Sequence, residues 1–156
     1  MTATVSVLTP TLLADHVRRW ARAPELWRGR VRFDAAQRWF TRLEQSAVHE
    51  VWLLSWLPGQ GTEVHDHGGS SGAFGIVAGE LAERAFGPRV IRPTPWGLPA
   101  GAIRAFGPRH VHEVANRATL PAVSIHAYSP PLTTMSYYRE RPAGLLKTRT
   151  DAVEED

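Results

Sequence analysis

From Val51 onwards the chain is cut repeatedly by Gly and Pro into short runs rich in apolar and β-branched residues. The runs are Glu63 to His67, Phe74 to Val77, Leu81 to Phe86, Ala102 to Phe106, His110 to Val114 and Ala122 to Tyr128. Segments this short and closely spaced leave little room for helices and predict an all-β sandwich or barrel. Val51, Leu53 and Leu57 alternate with Trp52, Leu54 and Trp56, so that first strand should bury both faces. Pro58-Gly59-Gln60-Gly61 is a turn, and Ser129-Pro130-Pro131 ends the last run, since proline cannot donate to a ladder. Tyr137 and Tyr138 fall in one more segment.

Helix is expected only near the N-terminus. Thr9 suits an N-cap and Pro10 the first helical position, with Leu13, Val17 and Trp20 following at helical spacing. Leu26 and Trp27 fit a second short helix, and Arg38 to Glu44 is mixed. The acidic Glu154-Glu155-Asp156 reads as a solvated tail. With 156 residues, no repeat and no linker, one domain is expected: helical over about 9–38, β over about 39–140, with a tail over about 145–156.

The chain has no cysteine. Disulfides and thiolate ligands are excluded, so any metal must rest on His, Asp or Glu. Net charge is only +3 and the arginines are scattered, with no basic stripe interleaved with stacking aromatics. Nucleic acid is therefore not an expected partner. No secretory h-region or membrane span is visible. The expectation is a cytoplasmic monomer acting on a small molecule.

His65 and His67 lie two apart in a strand-like run. Period two puts both imidazoles on one face, where packing alone gives no reason for them. Neutral imidazole suits Zn, Fe, Cu and Ni. Ser124, His126 and Tyr128 share a face in the same way, and such a row can form a hydrogen-bonded chain that orients the phenol. The alternative for each group is an ordinary solvated strand face.

Gly59, His65-Asp66-His67 and Gly79 together resemble the first motif of the cupin superfamily. His112 with Asn116 resembles the end of the second, although Gly107-Pro108-Arg109 departs from its usual upstream order. The resemblance implies a small cupin-type β-barrel, or jelly roll, with a metal in its mouth. It favours His112 over His110 as third ligand, because only His112 has Asn116 at the motif's offset. Where many cupins supply a glutamate ligand this chain has Gly72, which implies a three-histidine site with open positions for a substrate donor and dioxygen.

Over about Trp39 to Pro131 the chain resembles the cysteine dioxygenases. The resemblance rests on Phe40-Thr41-Arg42, His65-Asp66-His67, His112-Glu113-Val114-Ala115-Asn116 and Ser124-Ile125-His126-Ala127-Tyr128-Ser129-Pro130-Pro131. It implies Fe(II) on His65, His67 and His112, and oxidation of L-cysteine by O2 to cysteine sulfinate. It also implies Arg42 as the clamp on the substrate carboxylate, Phe40 beside it, and Tyr128 backed by His126 and Ser124. Family members often have a cis bond at the position of Ser129-Pro130. Animal enzymes crosslink the tyrosine to a cysteine at the position of Gly72, so Tyr128 should be a free phenol. They also carry a tyrosine where Phe40 stands. Two other readings remain: a dioxygenase for another small thiol such as 3-mercaptopropionate, from which Arg42 points away, and a non-catalytic cupin that binds a metal or small molecule.

Overall fold

A computed structural model describes residues 6–90 and 92–153. Helix α1 spans Pro10–Ala21, and two 3-10 turns follow at Pro24–Leu26 and Arg28–Arg30. The strands are β1 (Trp39–Gln45), β2 (Glu50–Trp56), β3 (Val64–His65), β4 (Ser71–Ala78), β5 (Glu80–Phe86), β6 (Trp96–Pro99), β7 (Ile103–Phe106), β8 (Val111–Ala115), β9 (Ala122–Ser129), β10 (Thr134–Arg141) and β11 (Gly144–Ala152). They form two sheets, one ordered β1-β2-β9-β4-β7 and the other β11-β10-β3-β8-β5-β6. Every strand pair is antiparallel. The mainly β jelly roll expected from the sequence is what forms, although the two sheets do not close into one continuous barrel.

The first sheet buries both faces. Towards α1 it sends Val51, Leu53, Ala73, Val123, Ile125 and Ala127, which pack with Leu13 and Val17. Towards the second sheet it sends Trp56, Phe74, Ile76, Phe106 and Ala122, which meet Leu81, Leu98 and Val114. This explains the unbroken apolar run of β2, whose alternate side chains serve two cores. The helix begins as its sequence predicts: the Thr9 side chain accepts from the Leu12 N–H, and Pro10 occupies the first turn. Gly75 allows α1 to lie close, because a Cβ there would come within 2.8 Å of Val17 Cγ1.

Two expectations need correction. The second helix near Leu26 and Trp27 is only a pair of single 3-10 turns, the first opening at Pro24 and the second centred on Gly29. The region expected as a tail is strand β11 as far as Ala152, hydrogen-bonded along β10. Its solvent-facing side chains hid it, since an exposed edge strand carries little apolar alternation. Glu154 to Asp156 lie outside the described residues. No helix among the described residues is long and apolar enough to cross a membrane.

Candidate metal centre and its cavity

Three strands bring the histidines together. β3 is only two residues long and runs between β8 and β10. Its His65 pairs directly with His112 on one side and Tyr137 on the other. His67 follows immediately after β3. The ring centroids form a nearly equilateral triangle: His65 to His67 is 5.0 Å, His65 to His112 is 4.7 Å and His67 to His112 is 4.9 Å. One nitrogen from each ring lies within 4.8 Å of the others, and all three residues are buried. Asp66 pins the intervening backbone: it accepts from the Gly68 and Ser136 N–H groups and from the Tyr138 hydroxyl.

Hydrogen bonding sets which nitrogens are free. His65 Nδ1 lies 2.7 Å from the Glu63 carbonyl, so it carries the proton and leaves Nε2 with a lone pair. His112 Nδ1 lies 2.7 Å from Glu83 Oε2, with the same consequence. Both nitrogens of His67 are buried with no hydrogen-bond partner among the described residues. An unsatisfied buried polar group costs about 1–3 kcal/mol, so His67 calls for a partner beyond those residues. Burial, reinforced by the neighbouring imidazoles, holds His65 at about 3 and His67 well below the ordinary histidine value. His112 is lowered too, by burial first, against the pull of Glu83. Three buried neutral imidazoles, each with a nitrogen within 4.8 Å of the others, are the donor set of a divalent transition-metal ion, and the residues fit one.

Glu83 is the charge behind this arrangement. It is buried, and its carboxylate receives His112 Nδ1 at 2.7 Å, His110 Nε2 at 3.1 Å and Arg104 Nε at 2.8 Å. Burial opposes its ionisation, yet the hydrogen bonds from both histidines and Arg104 hold its carboxyl far below the usual range.

A second row lies on the opposite sheet. The Trp56 indole N–H, which can only donate, gives its proton to Ser124 Oγ at 2.8 Å. Ser124 Oγ lies 2.7 Å from His126 Nε2, and His126 Nδ1 lies 3.3 Å from the Tyr128 oxygen. In the tautomer in which Ser124 donates to Nε2, the Nδ1–H faces the Tyr128 oxygen and the phenol proton is free to point away from His126. Burial pushes the Tyr128 phenol upwards and His126 down to about 3, so both stay neutral.

The two rows face a cavity of about 840 Å³, walled by His65 and His112 on one side and by His126 and Tyr128 on the other. The sequence matches the family described as "Cysteine dioxygenase type I" over residues 13–141. The chain belongs to the cysteine dioxygenase type I family. Its fold also resembles solved structures, a cupin among them. TT1209 from Thermus thermophilus is 25% identical, with a TM-score of 0.57 over 65% of this chain and 90% of that one. A Klebsiella pneumoniae protein with a double-stranded β-helix domain is 18% identical, with a TM-score of 0.56 over 76% and 90%. An RmlC-like cupin from Desulfovibrio desulfuricans is 21% identical, with a TM-score of 0.55 over 65% and 91%.

The motif residues of this cysteine dioxygenase type I chain fall at different depths around the cavity. His65, His112, His126, Tyr128 and Phe40 line it. His67 is buried behind them against Phe106 and Tyr128, and Ser124 lies behind His126. Arg42 is not part of the lining. Its guanidinium lies 3.6 Å from Glu50 Oε2 and 5.2 Å from the Trp52 ring. His110 stands outside the triad, stacked on Phe106 and bonded to Glu83. Asn116 is a bracket, not a donor to the site: its side chain donates to the Trp56 and Leu120 carbonyls and accepts from the Ala118 N–H. Ser129-Pro130 is cis. Gly72 lies opposite Tyr128 across β4 and β9, and a Cβ there would come within 2.4 Å of the Phe106 ring and 3.0 Å of Tyr128.

Sequence reasoning missed Glu83, Trp56, Asp66 and Arg38. Glu83 had a signal: it shares a face with Leu81 two residues earlier, and a carboxylate on an apolar face needs a partner. Arg38 had one as well, since period two from Arg42 through Phe40 leads to it. Arg38 lines the cavity with its guanidinium 5.0 Å from the Trp56 ring centroid.

Proposed function

We propose that this protein is an Fe(II)-dependent thiol dioxygenase that converts L-cysteine and O2 into cysteine sulfinate. The observation that carries the reading is a triad of neutral histidines, with no carboxylate in it, facing a neutral tyrosine across one cavity in a chain of this family. His65, His67 and His112 would hold the metal. When bound, ferrous iron supplies coordination positions at which a thiolate and dioxygen meet and through which electrons pass between them. Both new S–O bonds use the atoms of one O2, whose O–O bond breaks, and the electrons lost by sulfur equal those gained by dioxygen. No further reductant is required.

The chain's own residues do the positioning. The proton that Tyr128 keeps is free to hydrogen-bond negative charge developing on substrate oxygen. His126 and Ser124, keyed by Trp56, hold that phenol at one angle. A guanidinium on the β1 segment supplies the cation for the substrate carboxylate, a bidentate task suited to that group. Trp52, Leu54 and Phe40 form the apolar wall that keeps water from a bound thiol.

The test is iron stoichiometry with thiol-dependent oxygen consumption. Protein loaded anaerobically with Fe(II) should bind one ion per chain, lose it on His67→Ala, and form sulfinate in step with oxygen used. Iron-loaded protein that consumes no oxygen with cysteine would overturn the reading. A run with 3-mercaptopropionate separates the two thiols, and failure to take up iron at all would favour a non-catalytic cupin.

A further inference from the structure

We propose that Arg38, not Arg42, is the cation that receives the substrate carboxylate, so that Arg38 sets the preference for carboxylate-bearing thiols. The inference rests on the thiol dioxygenase reading and sharpens it.

The two arginines share one face of the β1 segment but not one environment. Arg42 has its charge answered inside the protein. Glu50 is buried and lies 3.6 Å away, and it is itself fixed by the Leu132 N–H at 2.8 Å. For Arg42 to take a substrate carboxylate it would have to share its charge with that glutamate or leave it, and a buried carboxylate stripped of its partner is costly.

Arg38 is the reverse case. It is half-buried, it lines the cavity that holds His65, His112 and Tyr128, and it has no carboxylate partner among the described residues. The acidic groups in the same wall, Glu63 and Asp151, are both taken by Arg149, at 3.0 Å from its Nη1 and 3.0 Å from its Nε. Arg38 has only the face of Trp56, at 5.0 Å, which steadies the guanidinium plane and leaves its N–H edges free. A half-buried guanidinium with no carboxylate partner among the described residues, in a cavity whose two acidic groups are already paired with Arg149, is an anion site. Arg38 lines the same cavity as His65 and His112, so a thiol that bears a carboxylate can offer one group to each. A thiol without a carboxylate leaves the cation unmatched.

The experiment uses Arg38→Gln, Arg38→Lys and Arg42→Gln with three thiols: L-cysteine and 3-mercaptopropionate, which carry a carboxylate, and 2-aminoethanethiol, which does not. The first readout needs no turnover. Each thiol is titrated anaerobically into Co(II)-substituted protein, and the thiolate-to-cobalt absorption band gives its affinity. Arg38→Gln should weaken the two carboxylate thiols about 10- to 100-fold, the range of a hydrogen bond to a charged group, and leave 2-aminoethanethiol unchanged. Arg38→Lys should fall between, and Arg42→Gln should match wild type. The second readout is KM and kcat from oxygen uptake by the Fe(II) protein, where Arg38→Gln should act mainly on KM.

Equal loss of all three thiols would assign Arg38 a structural role and overturn the proposal. So would unchanged cysteine affinity in Arg38→Gln, or a carboxylate-selective loss in Arg42→Gln instead. The two levels fail separately. Binding of the carboxylate thiols to the cobalt protein that depends on Arg38, without any oxygen uptake by the iron protein, sinks the dioxygenase reading and keeps the anion site. Oxygen uptake that is indifferent to Arg38 does the opposite.

Discussion

Glu83 shows how much of the centre depends on one side chain that is not a metal ligand. It orients His112 through a 2.7 Å hydrogen bond and is shared with His110 and Arg104. Glu83→Gln keeps the shape but removes the charge that favours the Nδ1–H tautomer of His112. It should lower metal affinity by about 10- to 100-fold, the usual effect of losing a partner behind a metal-bound histidine. Competition with a chelator measures this, and an unchanged affinity would show that Glu83 serves only packing. At this scale the sequence was legible for the residues that repeat at period two, His65 with His67 and the Ser124-His126-Tyr128 row. It was not legible for pairings across strands. The adjacency of His65 and His112 depends on the register of β3 against β8, and that register is set by a two-residue strand no pattern announces. Arg42 matched its motif, but the partner that occupies it, Glu50, sits opposite Tyr128 on another strand and could not be seen.

Among elements, α1 is the one that the catalytic reading does not explain. It packs on the outer face of the first sheet, behind the strand that carries His126 and Tyr128. Its far end is tied to the β1–β2 hairpin by a cluster of its own. Trp20 Nε1 donates to Glu44 at 2.9 Å, and His16 stacks on His49 at 4.3 Å. His16, Glu44 and His49 have the composition of a metal site, but Arg19 lies 2.8 Å from His16 Nδ1 and brings a cation where an ion would sit. The cluster is a docking contact. The closeness of the helix depends on Gly75. Gly75→Ala should destabilise the fold by ~1–3 kcal/mol through overpacking against Val17 and Ile103, with metal affinity unchanged. Urea unfolding of Gly75→Ala, Val17→Ala and the double variant tests this. The two changes should be less than additive, because trimming Val17 relieves the clash. Helix α1 and most strands were readable because each buries an apolar stripe of the right period. β6 and β11 were not, because Trp96 and most of β11 face solvent.

For the molecule as a whole, burying so many neutral histidines makes stability depend on pH. His126 and His65 have folded values of about 3, each chiefly through burial, against about 6.5 in an unfolded chain. Below 6.5 the unfolded state takes up protons that the folded state refuses. Their contribution is complete above pH 6.5 and is lost progressively as pH falls towards 3, at up to ~1.4 kcal/mol per pH unit for each residue. The metal-free protein should therefore lose its urea midpoint steeply as pH falls from about 6.5 towards 3, and His126→Gln should flatten that slope. A pH-independent midpoint over this range would contradict the burial of these rings. The packing around Gly72 has a different consequence. The Phe106 ring fills the space beside Tyr128, and the chain has no sulfhydryl with which the phenol could combine. A tyrosine in that setting cannot form a thioether with its own chain, so fresh and cycled protein should run as a single band of the same mobility on a denaturing gel.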